Sequence, residues 1–449
     1  MMDGLKEHAF SSEELILAHI DRIQKLQPII NAVTHERFEE ARREARAADQ
    51  LRMRGDENLP TLLGMPISVK EMYAIQGLPW TGGVHRHRDR IATKDAEAVH
   101  RVREAGAVVL CKTNTSTLTM THETDNVLFG RTSHPLDPTR TPGGSSGGEA
   151  ALIASYGSAW GIGSDLGGSI RLPAHLCGIC GIRPTHDVIP TDGEYPSYPH
   201  HLHMNSAGPL ARTVQDVRLL YEVLSHRKAD TYLDGVKVHW LASVAEAPVD
   251  NDMLASLGEI VREVSQAIPV EPADGALLHG VVQLWQSVIL SDGGQATIEE
   301  IREGESFSLE YELMRALFGR RIYHKWILAL LFGAKYVARS KRSLDDLMKE
   351  ISLLRAQFNA VIGDRGVLLM PVFPWTAPKH GKIANTVYSN RGHRILPYLV
   401  LANALGYPAM TVRAGIASNG LPFGIQVVGG EHGENEVFAV AELIEQICS

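Results

Sequence analysis

Residues 139–175, TRTPGGSSGGEAALIASYGSAWGIGSDLGGSIRLPAH, are dense in glycine and serine. Phosphate binding is the first chemistry to weigh. A Walker A loop needs a lysine after its last glycine, and none follows here. The dinucleotide fingerprint would begin at Gly161 and Gly163, but its third glycine would fall on Leu166. Serine hydrolysis of the G-x-S-x-G kind fails as well, because Arg171 stands two positions after Ser169. Another solution remains. An amide is a poor electrophile, so cutting it needs a nucleophile, a base and donors for the oxyanion. The run DLGGSIR (165–171) offers consecutive backbone N–H groups, unblocked at Gly167 and Gly168. Ser169, at the end of that run, would set its hydroxyl beside them. The stretch holds one histidine, His175, to act as base. Triad logic also allows a lysine relayed through a second serine, and GGSSGG (143–148) would supply that serine.

Five motifs then occur in order: GMPISVKE (64–71), TPGGSSGGEAALIA (141–154), GIGSDLGGSIRLPA (161–174), CGICGIRPT (177–185) and LPFGIQVVG (421–429). Together they resemble the amidase signature family over most of the chain. That resemblance implies a triad of a lysine, a serine held by a cis peptide bond and a nucleophilic serine. Matched position by position, Lys70 is the base, Ser145 the relay and Ser169 the nucleophile. The backbone amides of Leu166, Gly167, Gly168 and Ser169 are expected to form the oxyanion hole. Ser164 and Asp165 match support positions, with Asp165 expected to pair with Arg171 and fix the loop. Met120 matches a wall of the substrate pocket, though an ordinary core methionine stays open. Glu71 departs from the pattern, which usually has aspartate there. Neither a metal nor a cofactor is implied. The run SDLGGSIRLPAHLCGICGIRPT looks closest to fatty-acid-amide and aryl-amide hydrolases. It is also similar to metagenomic urethanases of the family, which cleave carbamates, and a urethanase is the expectation taken forward. An amide hydrolase without carbamate activity, an amidotransferase subunit and an idle binding module are the alternatives.

The elements around these residues must bring positions 70, 145 and 169 together. Ser11 and Glu14 predict a capping box, followed by Leu15, Ile16, Ile20, Ile23 and Leu26 at helical spacing. Residues 35–53 predict a second, exposed helix rich in charge pairs. PISVK (66–70) reads as a short strand, and residues 96–114 as a helix, Gly106 and a buried strand AVVLCK. A small-residue helix from Gly148 should lead into a tight buried turn before Asp165. GVLLMPVFP (366–374) and LPFGIQVVGG (421–430) predict strands, and residues 434–447 a closing helix. This alternation predicts an α/β fold: a large mixed, twisted sheet covered by helices on both faces. No internal repeat or low-complexity linker interrupts it, so residues 1–449 are expected to form one domain. Residues 275–355 read as a helical insertion, with KWILALLFGA (325–334) between Arg320, Arg321, Lys335 and Arg339. An apolar lid that gates the substrate is expected there, with a core helix or a shallow membrane-contacting helix as alternatives. Trp285 and Trp326 could line its channel.

Composition narrows the partners. Of 449 residues, 44% are hydrophobic and 21% charged, ordinary for a globular protein. The net charge is −8 with acids and bases interspersed, which argues against nucleic acid. No stretch predicts a membrane span or a leader, and four cysteines fit a reducing, cytoplasmic setting. A small-molecule amide or carbamate is the expected partner, and a homodimer is allowed. Cys177 and Cys180 form a single C-x-x-C, read as packed small residues rather than a redox pair. PHHLH (199–203) is read as an entrance loop rather than a metal cluster, and VHRHR (84–88) as a solvated face.

Overall fold

The structure is a computed structural model that describes residues 1–55, 58–197, 203–302, 306–319, 322–337 and 342–448. Eleven strands form one mixed sheet. In chain order they are β1 (Val33–Glu36), β2 (Pro66–Lys70), β3 (Val108–Thr113), β4 (Trp160–Ser164), β5 (Cys180–Arg183) and β6 (Ala207–Ala211), then β7 (Lys237–Trp240), β8 (Val270–Pro272), β9 (Gly366–Pro371), β10 (Ala409–Ile416) and β11 (Pro422–Gly429). Across the sheet the order is β1-β3-β2-β4-β6-β5-β10-β11-β9-β7-β8. β2 runs parallel to both β3 and β4. β4, β6, β5, β10, β11 and β9 alternate direction, and β9, β7 and β8 are parallel again.

Every residue of β2, β3, β4, β9 and β11 is buried. That is what helices on both faces do, and it explains why β2, β3, β9 and β11 read as continuous apolar runs rather than alternating ones. The capping box forms: Ser11 Oγ accepts the Glu14 N–H, and Glu14 accepts the Ser11 N–H at 2.8 Å. The second helix starts at Phe38, because residues 33–36 pair with β3 as an edge strand. The closing helix is Glu434–Ile447.

One expectation is corrected. The segment before Asp165 is not a turn but strand β4, central in the sheet. Its small residues carry little strand propensity. What selects them is close approach: a Cβ on Gly161 would lie 2.1 Å from Glu149 Oε2, and one on Gly163 would lie 2.8 Å from Leu210 Cδ1. Helix Gly147–Ala154 therefore lies almost on the strand backbone. VHRHR is also not wholly solvated, since His87 is buried with its ring 5.2 Å from that of Tyr195.

Residues 275–355 are largely helical, including Val281–Ile289, Leu309–Leu317, Lys325–Phe332 and Leu344–Ile362. Arg320, Arg321 and Arg339 lie outside the described residues, as do Pro199–Leu202 of PHHLH. Among the described residues, no helix is long and apolar enough to cross a membrane.

A buried arginine ties the sheet to the helix behind the site. Arg183 of β5 is fully buried, and its Nη1 donates to Ala402 O and Tyr407 O, both at 2.7 Å. Its Nη2 donates to Met204 O at 3.1 Å. At the end of helix Pro397–Leu405 these bonds add to the Gly406 and Tyr407 N–H groups that already reach Ala402 O, and they supply a donor to Tyr407 O just beyond it. Arg183→Met should therefore deprive Tyr407 O of its side-chain donor and Asp165 of a neighbouring cation, and cost about 1–3 kcal/mol, read as a lower denaturant midpoint. An unchanged midpoint would count against this role.

Candidate active site

Parallel strands deliver their C-terminal ends to one side of the sheet, where open α/β sheets gather functional groups. Lys70 ends β2 and Ser164 ends β4, its parallel neighbour. The Lys70 ammonium nitrogen donates to Ser164 Oγ at 2.8 Å. It also lies 2.7 Å from Ser145 Oγ, in the loop that opens helix Gly147–Ala154. The Gly144–Ser145 peptide bond is cis. Thr115 Oγ1 donates to Ser145 O at 3.0 Å and fixes that loop. The Ser146 N–H donates to Ser169 O at 3.2 Å, so the two serine loops are joined through their backbones. Lys70 and Ser145 are fully buried, while Ser169 is 6% exposed and faces a cavity.

Lys70 is titrated down by its surroundings. Burial lowers its pKa from 10.5 to about 7, against the opposing pull of Glu194, Asp165 and Glu149. Those carboxyls do not form simple ion pairs with it. Burial pushes Glu149 up to about 8 and Glu194 up to about 7, although two hydroxyls donate to Glu149 and a hydroxyl and an amide to Glu194. Ser68 and Thr113 hold Glu149, at 2.5 and 2.7 Å. Tyr73 and Asn205 hold Glu194, at 2.9 and 2.8 Å. Glu71 faces elsewhere: it accepts from the Thr81 N–H at 2.8 Å and lies 3.5 Å from Lys112 Nζ.

Asp165 organises the loop that carries Ser169. Burial opposes its charge, but Arg171, Arg183 and Asn403 outweigh that and hold its carboxyl well below the usual range. Arg171 donates to it through Nη2 at 3.0 Å and Nε at 3.1 Å, and Asn403 Nδ2 donates at 2.9 Å. The same carboxylate accepts the N–H of Gly168 at 2.7 Å and of Ile170 at 3.1 Å. This revises the expected oxyanion donors. The Gly168 amide is turned inward and already occupied, so it is not free to meet a substrate oxygen. Among the described residues, no acceptor takes the N–H of Leu166, Gly167 or Ser169. Gly168 serves instead through its φ of +97°, a conformation that suits glycine, with Leu399 packed where a Cβ would sit.

The cavity beside Ser169 has a volume of about 780 Å³. Met120, Leu166, Trp285, Ile289, Leu330 and Phe332 give it an apolar wall, and Lys325 is its one charged described lining residue. Trp326 and the described residues of 190–207 do not line it. Two lining residues went unrecognised in their roles. His122 Nε2 is bonded to Gly167 O at 2.9 Å, and Trp285 Nε1 donates to Leu166 O at 3.0 Å. No sequence signal ties either to a carbonyl 45 or 119 residues away. Among the described residues, no group of three His, Cys, Asp or Glu side chains could hold a metal. Cys177 and Cys180 are free and buried, and burial pushes the Cys180 thiol up to about 12.

Comparison with known proteins shows the family. The amidase family model matches residues 14–438. Fatty-acid amide hydrolase 2-B of Danio rerio is 31% identical, covering 99% of this chain and 88% of its own. Indoleacetamide hydrolase of Bradyrhizobium diazoefficiens is 30% identical, over 98% of this chain and 84% of its own. A crystal structure of an amidase superposes with a TM-score of 0.84 at 23% identity, over 100% of this chain and 98% of that one, and shares the fold. The chain belongs to the amidase signature family of hydrolases that act on carbon–nitrogen amide bonds.

Proposed function

We propose that Lys70, Ser145 and Ser169 form a catalytic triad that cleaves amides and carbamates through an acyl-enzyme. The contact that carries this reading is the 2.7 Å approach of Lys70 Nζ to Ser145 Oγ in a site closed to solvent. A lysine with a pKa near 7 is substantially neutral at neutral pH and can accept a proton. It takes the Ser145 hydroxyl proton as Ser145 takes that of Ser169. Ser169 Oγ attacks the carbonyl carbon, and the free amides of Leu166, Gly167 and Ser169 meet the oxyanion. Ser145 then gives a proton to the leaving nitrogen as the C–N bond breaks. Water enters by the same relay and releases the acyl group. We read the chain as one domain, with the 275–355 helices gating the cavity.

A carbamate presents the same planar N–C=O as an amide, so the triad needs no added part. The demand falls on the pocket, which must fit the alkoxy and amine sides at once. The size and apolar walls of the cavity support that fit. The names of the relatives support the second reading, an amide hydrolase without carbamate activity.

Purified wild type should cleave an alcohol-capped toluenediamine carbamate to amine, alcohol and carbon dioxide, and Ser169→Ala should not. Ready cleavage of an aryl amide with the carbamate left intact would decide for the second reading. Lys70→Ala should lower kcat by about 10²–10⁴, the usual weight of a general base. Because protonation removes the base, wild-type kcat/KM should rise with pH through about 7, near the lowered Lys70 pKa. A variant with the same pH profile and rate as wild type would remove Lys70 from the mechanism. Trimming Leu330 or Phe332 to Ala should change KM for bulky aryl substrates more than for acetamide; equal effects on both would argue against a gate.

A further inference from the structure

We propose that Trp285 and His122 are positioning residues that set the oxyanion hole by gripping two consecutive peptide units of the Ser169 loop. The inference rests on the triad reading above and adds to it two side chains from outside the glycine-rich motif.

A peptide unit is planar, and its C=O and N–H point in opposite directions. Holding the oxygen therefore fixes where the N–H aims. Trp285 Nε1 holds Leu166 O at 3.0 Å, which sets the direction of the Gly167 N–H. His122 holds Gly167 O at 2.9 Å, which sets the next unit, and Asp165 holds its Gly168 N–H at 2.7 Å. A carbonyl can only accept, so His122 must carry its proton on Nε2. The two grips come from neighbouring rings, with centroids 6.4 Å apart.

The loop needs such grips. Gly167 has no side chain to restrict rotation of the peptide units on either side of it; the Leu166–Gly167 unit carries the open Gly167 N–H, and the Gly167–Gly168 unit, which it must align with, is held at its N–H by Asp165. An oxyanion hole works because its donors are aimed before the charge develops, so an amide free to turn loses most of its value. The indole also lies against Gly167: a Cβ there would come within 2.6 Å of Trp285 Cζ2. Lining an apolar cavity would need only a phenylalanine or leucine. A tryptophan at 285 adds one polar atom, and that atom is spent on the catalytic loop.

Trp285 belongs to helix Val281–Ile289, whose Gln286 and Ile289 also line the cavity. One helix thus touches both the body of a bound substrate and the loop that meets its carbonyl oxygen. Binding of the apolar part and aim of the oxyanion donors are coupled through a rigid element, as expected where binding energy supports the transition state.

The test compares Trp285→Phe, His122→Phe and His122→Gln in the full chain on an anilide that wild type hydrolyses, with thermal midpoints recorded. Trp285→Phe keeps a ring in the wall and removes the donor. It should lower kcat about tenfold or more while KM stays within about twofold, a partial form of losing an oxyanion donor. His122→Phe should do the same, and His122→Gln, which restores an N–H at a similar reach, should recover most of the loss. Wild-type kcat in Trp285→Phe, or a change confined to KM, would reduce Trp285 to a lining residue and overturn the proposal. If Trp285→Phe melts early, the histidine pair decides, and equal rates in its two variants would also overturn it. Turnover that survives Ser169→Ala would instead sink the triad reading, whatever the grips do.

Discussion

One buried carboxylate holds the site together. Asp165 is fully buried, and its charge is met by two guanidinium N–H groups of Arg171, the Asn403 amide and backbone N–H groups of its own loop. A buried charge without such partners would cost several kcal/mol. With them, it becomes the point at which three segments distant in sequence meet. Arg171 reaches on to Gln426 at 2.9 Å and to Asn403 at 2.7 Å, so β11 and helix Pro397–Leu405 are fixed to the Ser169 loop. Arg183 stands 4.0 Å from the same carboxylate and binds the C-terminal end of that helix, where Asn403 also lies. The loop has the required shape because the sheet behind it cannot shift independently.

The electrostatics around Lys70 follow from the same burial. A lone lysine in an apolar core would be neutral, and one beside ionised carboxylates would be charged. Here Glu149 and Glu194 are themselves raised by burial, so their pull on Lys70 is weakened, while hydroxyl and amide donors satisfy their oxygens. The competition leaves Lys70 near 7 rather than at either extreme. This balance needs the close approach of helix Gly147–Ala154 to β4, because Glu149 reaches Ser68 only where Gly161 has no side chain.

The cavity is built mostly by parts of the chain outside the sheet. Its wall comes mainly from helices inserted between β8 and β9, and from the segment around Met120 and His122. Leu118 and Thr119 there have φ of +53° and +56°, which is costly for residues other than glycine and most so for the β-branched Thr119, and shows that packing overrides local preference. The insertion is not a detached lid. Through Trp285 it bonds directly to the loop it covers.

Much of this was legible in the sequence, for a definite reason. Strands buried on both faces leave unbroken apolar runs, so β2, β3, β9 and β11 could be read directly, and motifs rich in glycine and serine mark where backbone must come close to backbone. Lys70, Ser145 and Ser169 were singled out by the resemblance of their motifs to the amidase signature family. What sequence could not decide was direction. Trp160–Ser164 looked like a turn because Gly161, Gly163 and Ser164 lack strand propensity; only the close approach of Glu149 and Leu210 explains why the two glycines must be small. The Gly168 amide looked like a free donor, and only the position of Asp165 turns it inward. His122 and Trp285 carry no local mark, because a hydrogen bond to a carbonyl 45 or 119 residues away depends on how distant elements pack and on no pattern along the chain. Residue types set the chemistry available; tertiary packing set where each N–H and carboxylate points, and hydrogen bonding depends on that direction.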